Sequence, residues 1–379
     1  MIKVAFNAVP LLSPLTGIGQ YAKQLLQGLD AQTQVQVHKF YATSWSQETR
    51  QQPLPRMANR WKGWIKKWVP NSYQHARIVQ QKYFSKGVVS IKPDLYHEPN
   101  FLAYEFDGPS VITVHDLSWI RYPHMQPKER VRAMDQYFEP GLRRACRILT
   151  DSHFVKQELI DVFGISPHII HPVHLGVEVQ YQPHTSQQTQ ATLSRLGLIH
   201  GRYLLAVGTL EPRKNLQHAL QAFMAMPKSL RQQHPLVLVG MKGWNASQLE
   251  KQIAPLLAAG EIKQLGYLAR EDLTKVTAGA CALVYPSVYE GFGLPPLEAM
   301  ACGVPVIASN VSSIPEVVGD SGLLIDPGNV DQLTQAMLTL SQAPDLRQAY
   351  SSRALIRSRQ FSWDQCARET LSVYRAAIA

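Results

Sequence analysis

The stretch from Tyr285 to Gly303 leaves few folds open to this chain. A short apolar run, Ala282 to Tyr285, ends in a loop bracketed by Gly291 and Gly293. Pro295 or Pro296 then stands where a helix favours its first residue, Leu297 to Ala301 continue it, and Gly303 supplies a left-handed stop. The order is strand, loop, helix. Backbone N–H groups at such a loop and helix start point outward with partial positive charge, so an anion is the natural guest, and glycine lets it come close. Glu290 and Glu298 flank that place. A carboxylate beside an anion pocket makes sense where the ligand also brings hydroxyls from which it can accept. Phosphate together with hydroxyls describes a sugar nucleotide. The plainer reading, in which both glutamates are solvated surface acids and the glycines serve only a turn, stays open at this level.

The same strand–loop–helix unit recurs along the chain. Lys3 to Ala8 reads as a first strand, a Gly17-Ile18-Gly19 loop follows, and Ile18, Tyr21, Ala22, Leu25, Leu26 and Leu29 form one apolar face of a helix. Gly17 and Gly19 either touch a ligand or let the helix pack closely on its sheet. Val35 to Tyr41, Asp94 to His97, Ser110 to Asp116 and Ile169 to Val173 read as further strands, with a helix capped by Ser152 before the last. The strand at Ser110 delivers His115 and Asp116 to its carboxyl end, where open parallel sheets collect ligands. His97 and Asn100, at the end of the neighbouring strand, join Asp116 as candidates to meet an acceptor. Pro183 to Thr192 is polar and Gln-rich and marks a boundary. A second series then begins, with strands at Tyr203 to Gly208, Leu236 to Gly240, Ile262 to Gly266, Ala282 to Tyr285, Val304 to Ala308 and Leu323 to Ile325. Arg213 and Lys214 follow the first of these and precede a helix. Two cations are poorly placed at a helix start, which is itself positive, and a bound diphosphate would remove the conflict.

Composition sets outer limits. At 379 residues the chain has room for two domains of ordinary size. It contains no apolar run long enough to span a membrane, and the N-terminus reads as a strand, not a signal peptide. Cys146, Cys281, Cys302 and Cys366 stand singly among apolar neighbours, as reduced core cysteines do. No Asp-x-Asp pair is present. The net charge of +10 is local: between Thr49 and Pro93 ten basic residues occur with no acid, and elsewhere basic and acidic residues balance at 28 each. Within that segment Trp61, Trp64, Ile65 and Trp68 fall at helical spacing, with Lys62, Lys66 and Lys67 on other faces. This is the pattern of a helix lying on an anionic membrane, or of tryptophans packed into a core. A nucleic-acid partner is not expected, because no binding module accompanies the charge.

Glu290, seven intervening residues, Glu298 and then Met300 to Ser309, together with Glu211-Pro212-Arg213-Lys214-Asn215, resemble the two hallmarks of retaining GT-B glycosyltransferases of family GT4. The His115 loop, the Thr150 to Phe154 segment and the terminal Phe361-Ser362-Trp363 are similar to other family features. The resemblance implies two Rossmann-like domains with parallel sheets facing across a cleft: 1–180 for the acceptor, 181–360 for the nucleotide sugar, and 361–379 as a helix returning to the first. It implies donor contacts from Gly17, Gly19, Gly208, Thr209, Arg213, Lys214, Gly266, Tyr267, Glu290, Gly291, Phe292, Gly293, Leu294 and Glu298. Glu298 would hold the ribose and Glu290 the transferred sugar, while His115, Glu290, Arg213 and Lys214 serve the reacting centre without metal or cofactor. Thr209 stands where some members carry a further Arg, which puts its phosphate contact in question. The likeness is greatest to mannosyltransferases of bacterial O-antigen and exopolysaccharide assembly. It implies GDP-mannose as donor, a lipid-linked glycan as acceptor, and a place at the cytoplasmic face of the inner membrane. UDP- and dTDP-sugar donors, a sugar-nucleotide hydrolase or epimerase, and a membrane-bound scaffold are the alternatives.

Overall fold

The computed structural model describes residues 1–13, 17–50, 72–241, 243 and 247–379. The tryptophan and lysine cluster at Trp61 to Trp68 lies outside them. The described chain divides into two compact units. The first comprises Met1–Leu117, Lys128–Gly176 and Trp363–Ala379, and the second Ser118–Pro127 and Val177–Ser362. The ten residues Ser118–Pro127, expected within the first domain, thus belong to the second unit, where the Tyr122 ring centroid lies 5.6 Å from that of Tyr289.

The first unit is built on strands β1 (Ile2–Asn7), β2 (Val35–Phe40), β3 (Trp45–Ser46), β4 (Leu95–Glu98), β5 (Ser110–Val114), β6 (Arg147–Thr150) and β7 (Ile170–Pro172), in the order β3-β2-β1-β4-β5-β6-β7. All pairings are parallel except that of the two-residue edge strand β3 with β2. The helix Gly17–Asp30 buries Tyr21, Ala22, Leu25, Leu26 and Leu29, the face its apolar spacing defines. It packs against the last helix, Trp363–Ile378, so closely that a Cβ on Gly28 would lie 2.5 Å from the Ala367 methyl. Ser152 caps the helix His153–Phe163, its hydroxyl accepting from the Val155 N–H at 3.2 Å.

The second unit carries β8 (Leu204–Val207), β9 (Leu236–Val239), β10 (Ile262–Gly266), β11 (Ala282–Tyr285), β12 (Val306–Ser309) and β13 (Leu323–Ile325), all parallel, in the order β10-β9-β8-β11-β12-β13. Its strands are apolar on both faces because helices cover both: Tyr203 and Leu205 enter one core, Leu204 and Ala206 the other. In either sheet the order reverses beside the first strand. The second sheet therefore opens a crevice between the carboxyl ends of β8 and β11, the place where a doubly wound sheet binds its ligand.

Candidate functional site

Two loops leave the strands that flank this crevice. After β8 the chain passes Gly208 and Thr209 and makes a short 3-10 turn, Pro212–Lys214. Asn215 then takes a left-handed conformation that turns the chain into the helix Leu216–Ala225. After β11, residues 286–293 lead into the helix Leu294–Ala301, and the Val288 N–H donates to the Arg213 carbonyl at 3.0 Å. The loops are thereby joined, and four charged side chains meet. Arg213 Nη1 lies 2.6 Å from Glu290 Oε2 and its Nη2 2.7 Å from Glu211 Oε1. Lys214 Nζ lies 2.7 Å from Glu290 Oε1 and 2.7 Å from the Tyr285 hydroxyl, which itself donates to Glu290 at 2.8 Å. Burial works to raise the Glu290 carboxyl, but the two cations outweigh it and hold it at about 2. Burial pulls Lys214 below the usual range, with Glu290 acting against that.

The Glu290 loop is itself clamped. The Glu290 N–H donates to Ser312 Oγ at 3.0 Å, and the Ser313 hydroxyl lies 2.9 Å from the carbonyls of both Glu290 and Phe292. Gly293, at φ 121°, is the N-cap just before the helix; a Cβ there would be strained and would come within 2.8 Å of Ile314 Cδ1. The sequence suggested Pro295 or Pro296 as the first helical residue, but Leu294 holds that place. The two prolines follow it and lack an N–H, so among the first three helical residues only Leu294 has one to offer.

Glu298 belongs to a second cluster on the same helix. Arg270 Nη1 is 3.0 Å from Glu298 Oε1 and 2.8 Å from the Tyr181 hydroxyl, and Arg270 Nη2 is 2.9 Å from Glu178 Oε1. Burial lifts the Glu298 carboxyl to about 7, and Glu178 adds to the rise against the pull of Arg270. Gly266 ends β10 with φ 67°, and Tyr267 after it is exposed.

The remaining candidates lie in the first unit. His115 follows β5 with Nδ1 2.8 Å from Asp151 Oδ2 and Nε2 2.8 Å from the Pro99 carbonyl. A carbonyl only accepts, so Nε2 carries a hydrogen. Burial disfavours a charged ring here, but Asp151 prevails and the His115 pKa is raised. Asn100 donates its N–H to Glu98 Oε1 at 2.9 Å and, like Asp116, is partly exposed. His97 must be corrected as an acceptor contact. It is fully buried, bonded at 2.6 Å to the Tyr374 hydroxyl and at 2.8 Å to that of Thr113, and burial depresses it to about 3. Gly17 and Gly19 form the first turn of their helix.

Sequence models of two families match this chain: "Glycosyltransferase Family 4" over residues 15–181 and "Glycosyl transferases group 1" over residues 200–357. O-antigen chain mannosyltransferase B of Escherichia coli is 35% identical over 385 residues, covering 99% of this chain and 100% of that one. The chain is a family 4 glycosyltransferase. The MMP alpha-(1->4)-mannosyltransferase of Mycolicibacterium hassiacum is 32% identical over 62% of the transferase and 56% of its own length. Among solved structures, sucrose-phosphate synthase from Thermosynechococcus elongatus matches with a TM-score of 0.77 at 19% identity, covering 99% of each chain. Anabaena HepE in complex with UDP-glucose matches at 0.72 and 17%, over 99% of the transferase and all of that chain. These structural likenesses establish the GT-B fold.

Within the second unit the structure brings together Arg213, Lys214 and Glu290, with Gly291, Phe292, Gly293 and Leu294 on the adjoining loop. Glu298 lies on the helix which that loop begins. Glu211, Tyr285, Ser312, Ser313, Arg270, Tyr181 and Glu178 are parts of these clusters that sequence reasoning did not single out. Only Glu211 carried a signal, as the acid that opens the run containing both cations. Arg213 and Lys214 need no diphosphate to relieve their position at the helix start, since Glu211 and Glu290 already balance them. The four cysteines are free thiols, three of them buried and Cys146 half-buried.

Proposed function

We propose that this transferase moves mannose from GDP-mannose to a hydroxyl of a lipid-linked glycan in O-antigen assembly, with retention of configuration and without metal. The observation that carries mannose and O-antigen is the full-length likeness to O-antigen chain mannosyltransferase B. GDP-mannose follows from mannose as the sugar. The chemistry rests on the crevice between β8 and β11. As the bond to the diphosphate breaks, negative charge grows on the leaving phosphate, and Arg213, Lys214 and the N–H groups of Gly293 and Leu294 stabilise it. Glu290, held at about 2, stays ionised at any working pH. It therefore accepts from hydroxyls of the transferred sugar and does not deliver a proton. Glu298 accepts from the ribose hydroxyls. A peripheral seat on anionic inner-membrane lipid is supported by the helix Ser72–Ile91, which exposes Ile78, Val79, Tyr83 and Val89 beside Lys82 and Lys86.

Mannosyl transfer from GDP-mannose to a lipid-linked acceptor, run beside UDP-glucose and dTDP-rhamnose, tests the reading. Lys214→Ala or Glu290→Ala lowers turnover by about 100-fold or more, the usual cost of one preorganised transition-state contact, while the circular dichroism spectrum is kept. Near-normal transfer by either variant would sink the assignment of the site, and turnover with UDP-glucose alone would sink GDP-mannose.

A further inference from the structure

Arg270 is the first residue of the helix Arg270–Ala278, and its guanidinium ties together three segments distant in sequence. Nη1 meets Glu298 and the Tyr181 hydroxyl, Nη2 meets Glu178, and the group stands 5.6 Å from the Tyr181 ring centroid. A planar fork that reaches two carboxylates at once fixes where each can lie. We propose that Arg270 is a positioning residue for donor binding, fixing the Glu298 carboxylate, with Glu178 and Tyr181, as the acceptor for a vicinal pair of nucleotide hydroxyls. This rests on the reading of Glu298 as the ribose holder given above.

The surroundings of Glu298 explain why an anchor is required. Among the described residues, the groups that face it are Arg270 from its helix, Glu178 and Tyr181 from the segment after Gly176, and the Cys302 thiol at the end of its own helix. Of these only Arg270 is a cation. With Arg270 present, burial already lifts the carboxyl to about 7. Without it, Glu298 keeps its proton to higher pH, and a protonated carboxyl presents a donor where the ribose needs an acceptor. The sign follows: loss of Arg270 weakens nucleotide binding most at low pH, and affinity returns as rising pH ionises Glu298.

Calorimetric titration of the full chain, from about pH 6 to about pH 9, uses whichever of GDP and UDP, both of which carry the 2',3'-diol, binds the wild type more tightly. Arg270→Ala raises the dissociation constant by about tenfold at the acid end, as for loss of a charge-assisted contact, and the gap narrows towards the alkaline end. Arg270→Lys restores the pH profile, and donor KM rises in Arg270→Ala with kcat largely kept. Wild-type affinity and pH profile in Arg270→Ala, with Glu298→Gln weakened, would overturn the inference alone. A pH-independent loss that tracks a fall in Tm would also overturn it, since that marks a merely structural contact. Wild-type affinity in Glu298→Gln would instead remove the ribose reading beneath it.

Discussion

Glu290 was legible as a candidate, but the partners it meets in the fold were not. The sequence shows a glutamate in a glycine loop and, far upstream, two adjacent cations. It does not show that Arg213 and Lys214 both close on that one carboxylate at 2.6 and 2.7 Å. Two cations facing Glu211 and Glu290 make a balanced cluster, so a diphosphate arriving there competes with carboxylates that already occupy its donors. Their pairing also stabilises the fold. With Glu290 at about 2 against an ordinary 4.5, the contribution is complete above 4.5 and is lost as pH falls through 2. Glu290→Gln leaves the cations short of one negative partner while keeping the shape of the side chain. It is expected to bind a nucleoside diphosphate roughly three- to tenfold more tightly, through strengthened charge-assisted bonds, while losing mannosyl turnover. Calorimetry and initial rates measured on the same preparation check the split. Weaker nucleotide binding would mean that Glu290 assembles the two cations and does not compete for them.

Among the elements, strands were readable and close approaches were not. Runs such as Leu236 to Val239 and Ala282 to Tyr285 stood out because a parallel sheet covered on both faces demands continuous apolar residues. The two-residue strand Trp45–Ser46 carries no such run and was missed; it is held by Trp45 packing on Phe40 and Phe84. Arg270 was missed for a related reason, since a polar first residue of a helix looks solvated until the carboxylates it reaches are known. The seam between Gly17–Asp30 and Trp363–Ile378 shows the same limit. Gly28 is a poor helix former in the middle of a helix, and only the Ala367 methyl, 2.5 Å from where its Cβ would stand, explains it. Gly28→Ala should therefore lower Tm despite the gain in helix propensity, by the equivalent of about 1–3 kcal/mol for overpacking. Ala367→Gly in the same chain should recover part of the loss. A Gly28→Ala protein more stable than wild type by thermal unfolding would show that the seam relaxes freely.

For the molecule as a whole, charge distribution is the property that composition states and the fold gives a location. The excess of ten positive charges lies between Thr49 and Pro93, and the described part of that segment is Thr49 and Arg50, the helix Ser72–Ile91, and Lys92 and Pro93. That helix turns Ile78, Val79, Tyr83 and Val89 outward on the same surface as Lys82 and Lys86, with no acid along its length. On the proposed membrane reading, the lysines would approach anionic headgroups while the exposed apolar side chains enter the interface, although Glu105 lines the same surface depression as Ile78 and Lys82. The face of Phe84 is different, since it is fully buried against Phe40 and Tyr104 and holds the helix to its sheet. Reversing Lys82 and Lys86 therefore alters the outer surface and leaves that packing alone. Sedimentation with vesicles containing phosphatidylglycerol should show binding that weakens as salt rises, and a Lys82→Glu, Lys86→Glu protein should bind about tenfold or more weakly, at about 1 kcal/mol per surface charge. Phosphatidylcholine vesicles should retain little of either protein. Equal retention of wild type and double variant on the anionic vesicles would remove the helix Ser72–Ile91 from any membrane seat and leave its exposed apolar residues to be explained by another partner.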